Sequence, residues 1–137
     1  MTTKTRLPDE LEFPAGIPGL PGATTFVLEA ATPDGSDESL FEVLRAVDNS
    51  VELIVTQPWS FFPDYAPDLP DDELGEIGIK GPEDVTIFCA VTLDQAQGCV
   101  YVNLLGPFVV NVTTRVGMQM VLADADWPVR ARVDINP

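Results

Sequence analysis

The 137-residue chain contains no histidine, which removes the usual proton acceptor for a serine or cysteine nucleophile near neutral pH. Cys89 and Cys99 lie in apolar runs with no positive charge or helix start beside them, so nothing in the sequence draws their pKa down towards a reactive thiolate. Carboxylates pair up at Asp71/Asp72 and Asp124/Asp126, both in turn or cap contexts where acidic side chains serve the backbone. Asp124-x-Asp126 lacks the further oxygen ligands and the glycine of a calcium loop. Without histidine or a CxxC spacing no metal site is expected. The glycine- and proline-rich stretch 13–22 has no Gly-Lys-Ser/Thr ending and no helix after it, so it does not cradle a phosphate. These residues assign no catalytic group, no cofactor and no enzyme activity.

Two asparagines ask for another kind of explanation. Asn103 and Asn111 interrupt the otherwise apolar stretch 99–122 on either side of Leu105-Gly106-Pro107, and a buried amide left unpaired costs roughly 1–3 kcal/mol. Two roles fit. They satisfy backbone groups orphaned where Pro107 breaks a strand, or the corner with Leu104, Leu105, Pro107 and Phe108 offers an edge to a partner segment. A similar choice arises at 58–70, where Trp59, Phe61, Phe62 and Tyr65 stand among four prolines. Either the rings seal one end of a barrel, or the exposed ones, with Phe62 and Tyr65 as candidates, line a groove for a partner.

The elements that must position these residues are strands. Val100, Val102 and Leu104 alternate with Cys99, Tyr101 and Asn103. After the break Phe108, Val110 and Val112 alternate with Val109 and Asn111, and a turn at 114–117 leads into Met118, Met120 and Leu122. Pro107 has no ladder donor and biases Gly106 to an extended conformation, so the strand must bend there. The same period predicts strands at 24–28, 40–47, 51–56, 85–93 and 129–133, with turns at 48–50 and 94–97 and an acidic loop at 30–39. The second turn would set Cys89 opposite Val102, three positions from Cys99, which implies two free thiols. Asp71-Asp72-Glu73-Leu74 after Pro70 suits the first turn of one short helix.

Eight strands, one short helix and no repeat favour an all-β fold, a small antiparallel β-barrel, over a sandwich. Phe26, Phe88, Tyr101 and Phe108 are expected to fill its interior and leave no ligand cavity. Residues 1–12 read as a short leader and 13–137 as a single barrel domain. Seven basic residues against 22 acidic ones give a formal net charge of -15, so a phosphate backbone would be repelled and direct nucleic-acid binding is excluded. That charge serves solubility or steers the chain to a basic partner. No apolar run approaches the ~20 residues of a membrane helix and no signal-peptide core follows the start, so a cytoplasmic protein without membrane contact is expected.

Four stretches, taken in order, resemble the flagellar assembly factor FliW family. Phe13-Pro14-x-Gly16-Ile17-Pro18-Gly19 is similar to its FPxGLPG segment, and Pro58 with Phe62-Pro63-Asp64-Tyr65 to its proline followed by FP(D/E)Y. Asn103-Leu104-x-x-Pro107 with Asn111 is similar to NLxxPxxxN, and Gly117-x-Gln119 with Leu122 to its GxQ ending. The resemblance spans about 13–133. It implies a small antiparallel β-barrel that is not an enzyme, binding to flagellin, and binding to the RNA-binding regulator CsrA that relieves repression of flagellin synthesis. It implies structural roles for Gly16, Pro18, Gly19, Gly106 and Asn111, and a free chain that is monomeric. Departures from the family are Leu20-Pro21 after the first motif, Gln57 before Pro58, a longer 30–39 loop, and no TxxFG-like strand ahead of Phe13, so one barrel edge is expected to be missing. A small-ligand barrel and a diverged member that binds flagellin alone are the alternatives.

Overall fold

The structure, a computed structural model, describes residues 10–14, 16–17, 24–30, 41–47, 51–122 and 126–134. The expected turn at 48–50, the loop at 31–39, Pro18, Gly19 and Asp124 lie outside the described residues. Nine strands and one α-helix are found among them: β1 (Glu10–Glu12), β2 (Thr25–Ala30), β3 (Glu42–Ala46), β4 (Glu52–Thr56), α1 (Asp71–Glu76), β5 (Val85–Asp94), β6 (Cys99–Val102), β7 (Phe108–Asn111), β8 (Gly117–Gln119) and β9 (Ala131–Asp134). The strands pair in the order β1-β2-β3-β4-β5-β6-β9, with β7 also on β5 and β8 on β7. Every ladder is antiparallel. β1 meets the residue just before β8 through one isolated parallel bridge, Glu12 with Val116. The wall is therefore barrel-like, without a closing ladder between described residues.

The expected leader is corrected at its end. Glu10–Glu12 pairs with β2 and Leu11 is buried in the core, so a strand precedes Phe13 at the edge expected to be missing, and the strands among the described residues number nine. With one apolar residue among three, this strand leaves almost no periodic signal in the sequence.

Two cores lie on opposite faces of the sheet. The inner one gathers Leu11, Phe13, Phe26, Leu44, Phe88, Phe108 and Val110, and the Phe13 ring meets those of Phe26 and Phe108 edge-on at 5.6 and 6.0 Å. The outer one gathers Ile87, Cys89, Val91, Val100, Val102, Leu104, Val109 and Met120 under the irregular segment 58–79. β5 and β7 bury both faces, which is why their sequences read as nearly unbroken apolar runs. Tyr101 does not fill the interior as expected. It is half-buried with the Arg130 guanidinium 4.1 Å from its ring centroid, and Thr92 opposite it is exposed. That part of the β5–β6 ladder has already left the barrel.

The bend comes from a mismatch along one edge of β5. Val91 pairs with Val102 and Phe88 with Phe108, so 103–107 spans only residues 89 and 90 of β5. Both partners lie on one side, because the Ala90 and Asp84 carbonyls accept from the Asn103 and Val112 amides at 2.9 Å, and residues an even number apart point to the same edge. The register also corrects the sequence expectation for the thiols: Cys99 opposes Asp94, and Val102 opposes Val91 instead of Cys89. Gly98 at φ 65 closes a four-residue loop at 95–98, the same length as the expected turn but one position further along the chain. Both cysteines are free and buried. The short helix stands where expected, with Asp71, Asp72 and Glu73 in its first turn.

Candidate functional site

The bend at 103–107 is held by two side-chain amides. Asn103 Oδ1 accepts from the amides of Leu105 and Gly106, each at 3.0 Å, which are the donors that Pro107 leaves outside any ladder. Gln119 Nε2 donates to the Gly106 carbonyl at 2.9 Å. The chain after β8 then runs back along the corner, with the Met120 amide on the Pro107 carbonyl at 2.9 Å and that of Leu122 on Leu105 at 2.8 Å. Asn111 does equivalent work one strand later. Its Nδ2 donates to the Ile77 carbonyl at 2.9 Å, and its Oδ1 accepts from Thr113 and Thr114 at 2.9 and 3.2 Å. The hairpin that follows closes through Arg115 in the left-handed region at φ 66. Asn111 thus ties β7, this hairpin and the C-terminal end of α1 together.

Over the corner sits Tyr65. Its hydroxyl donates to the Leu104 carbonyl at 2.7 Å, the Trp127 ring stands edge-on to it at 4.7 Å, and Trp59 Nε1 donates to its carbonyl at 2.8 Å. Beneath it lies Cys89, fully buried. Burial pushes the Cys89 thiol up to about 12, only partly opposed by the neighbouring Tyr65 hydroxyl, and burial likewise raises the Tyr65 hydroxyl. Cys89 is therefore a neutral thiol at pH 7, a packing group and not a nucleophile.

The structure brings Asn103, Leu104, Leu105, Gly106, Pro107, Phe108 and Tyr65 together, but it turns most of them inward. Leu104, Phe108 and Tyr65 are 2%, 2% and 3% exposed, and Pro107 is fully buried, so this corner cannot offer them to a partner in this conformation. Bend geometry forces it: five residues crossing two must fold their apolar side chains into the cores on both faces. Asn103, Leu105 and Phe62 are half-buried and keep some accessible surface. Gly16, at φ 72, closes a turn whose amide donates to the Phe13 carbonyl at 2.7 Å. Tyr65 and Phe62 pack on the outer core, Phe61 stacks on Phe41, and Trp59 is 42% exposed. Sequence reasoning gave no role to Trp127 or to the contact of Cys89 with Tyr65. Both depend on residues dozens of positions apart, and no local pattern announces them.

The exposed chemistry lies elsewhere. Between 64 and 84 the chain carries eight of its 22 acidic residues against a single base, Lys80, all exposed or half-exposed. Among the described residues no cluster of three or more potential ligands could hold a metal ion, and no helix is long and apolar enough to cross a membrane.

Comparison with known proteins gives a consistent outcome. The FliW protein family model matches residues 2–133. The flagellar assembly factor FliW of Caldicellulosiruptor saccharolyticus is 34% identical over 119 residues, covering 86% of this chain and 75% of that protein. Its counterpart in Caldicellulosiruptor bescii is 32% identical over 136 residues, 93% of this chain and 86% of that protein. A crystal structure of the flagellar assembly factor FliW superposes with a TM-score of 0.80 at 28% identity, covering 100% of this chain and 91% of that one.

Proposed function

Because the chain belongs to the FliW family of flagellar assembly factors, we propose that it works through protein contacts, binding flagellin and the RNA-binding regulator CsrA and so coupling flagellin synthesis to assembly. The observation that carries this reading is the acidic face at 64–84 on a chain of net charge -15. A protein that binds RNA through its phosphates presents positive surface, and a face of opposite sign draws it in over roughly a Debye length, ~8 Å at physiological salt. The same charge keeps this chain off RNA itself, so antagonism has to come from occupying the regulator.

The interior supports a surface function. Phe13, Phe26, Phe108 and Val110 are buried in the inner core, which favours a contact surface over an enclosed apolar ligand. With Cys89 held as a neutral thiol and no histidine in the chain, nucleophilic catalysis has no candidate. The protein acts as a monomer in the cytoplasm. Whatever the corner itself contributes to binding falls to Asn103, Leu105 and Phe62. Affinity capture tests the reading: immobilised chain should retain purified CsrA and flagellin from the same organism, CsrA less well as salt rises. Retention of neither at low salt would overturn it.

A further inference from the structure

The outer surface between α1 and the start of β5 contains a hollow of about 520 Å³ that opens to solvent. Its apolar lining comes from Pro67, Leu69, Leu74, Ile79, Pro82 and Val85. No residue of α1 is fully buried, and Leu69, Leu74, Ile79 and Val85 pack on the outer core while staying only half-buried. The domain therefore leaves an apolar trough partly wet. The walls are well fixed: the Leu74 amide donates to Pro70, that of Ile79 to Leu74 and that of Asp84 to Gly81, each at 3.0 Å, while the Lys80 amide donates to the Asp84 carboxylate at 3.1 Å.

Asp71 and Lys80 line the trough themselves, exposed Asp68, Asp72 and Glu76 each follow a lining residue in the chain, and the Glu83 carboxylate stands against Gly81 of the wall, so the rim carries five acids to one base. An apolar floor inside a negative rim selects its occupant by two criteria. The occupant must bring apolar side chains to desolvate the floor, and its flanks must be positive, because an acidic segment would be repelled and a purely basic one would leave the floor wet. Backbone groups of the walls are already bonded to one another, so a strand would find few main-chain partners there. An amphipathic helix satisfies both criteria at once.

We infer that this groove takes up the apolar face of a basic amphipathic helix of a partner protein, an assignment that rests on reading the chain as a protein-binding regulator. Gly75 supplies a clean test. It lines the groove, is exposed, and a side chain built on it meets nothing within 4 Å. Gly75→Trp therefore blocks the groove without an internal clash, and Gly75→Ala leaves it open; both replace a poor helix former.

A fluorescent Leu/Lys amphipathic helix and a Leu/Glu counterpart are titrated against wild type and both variants by anisotropy, and purified CsrA is titrated against the same set. Wild type and Gly75→Ala should bind the Leu/Lys peptide in preference to the Leu/Glu one. Gly75→Trp should weaken that binding at least about tenfold with no fall in melting temperature. Equal binding of the Leu/Lys peptide by Gly75→Trp and wild type, or equal binding of the two peptides by wild type, would overturn the groove assignment. CsrA bound equally by wild type and Gly75→Trp would also overturn it while leaving the protein-binding function intact. Uptake of the Leu/Lys peptide by a wild-type chain that binds neither CsrA nor flagellin would do the reverse.

Discussion

Replacing Asn111 by alanine should damage the fold more than any other single change at the corner. The side chain is 4% exposed and makes three hydrogen bonds, to the Ile77 carbonyl and to the Thr113 and Thr114 amides. At a net ~0.5–1.5 kcal/mol each, the loss comes to about 1.5–4.5 kcal/mol, with the upper part favoured where water cannot reach the orphaned groups. Total stabilities of such domains run to only about 5–15 kcal/mol. For a chain of this size that loss lowers the melting temperature by roughly 5–20 °C. Asn103→Ala removes two bonds at a half-exposed position, so about half the effect is expected, water taking over part of the amide bonding. Thermal unfolding followed by circular dichroism, together with capture of CsrA and flagellin, reads both outcomes. If either variant keeps its melting temperature within about 1 °C of wild type and still loses a partner, its asparagine recognises the partner instead of holding the bend, and the reasoning fails.

Removing the Tyr65 hydroxyl leaves the buried Leu104 carbonyl without its donor, so Tyr65→Phe should cost about 1–2 kcal/mol in a denaturant midpoint series. The folded chain keeps the Cys89 proton up to about 12, against an ordinary value of 9.0. Between those values the unfolded chain holds fewer protons, so stability stays level below about pH 9 and falls as pH rises through the window. The melting temperature should drop from pH 8 to pH 10.5, and less steeply in Cys89→Ala. At Gly117 an added Cβ would lie 2.8 Å from Val110 Cγ2 and 2.9 Å from the Val109 carbonyl, whereas at Gly106 it meets the end of the flexible Gln119 side chain at 2.9 Å. Gly117→Ala should therefore lower the melting temperature clearly more than Gly106→Ala.

Much of this fold was legible in the sequence wherever a period of two ran for four residues or more. β5, β6 and β7, the bend at Pro107 and the short helix after Pro70 all stand where alternation and turn chemistry put them. β1 escaped because Glu10–Glu12 offers a single apolar residue. The hairpin register of β5 and β6 escaped because it depends on Gly98 taking a left-handed conformation at the end of the four-residue loop 95–98, which the sequence around Asp94 does not distinguish from a loop of the same length one position earlier. Tyr101 is expected inside as one of the large side chains, and size cannot tell that β6 has passed the end of the barrel wall. At the candidate site the need for paired asparagines was readable, since two amides in apolar strands require partners. So was the bonding of Asn103 to amides orphaned at the Pro107 break; the reach of Asn111 to the Ile77 carbonyl was not. Nor was the inward burial of Leu104, Pro107 and Phe108, because a bend that crosses two residues with five sends side chains to two cores at once.

Isothermal titration of the purified chain with CsrA and with flagellin, each at low and at high salt, tests the proposed function most directly. The account predicts saturable binding to both, with CsrA affinity falling steeply as salt screens the acidic face at 64–84. Absence of heat with both partners at low salt, from a chain that melts cooperatively, would contradict it.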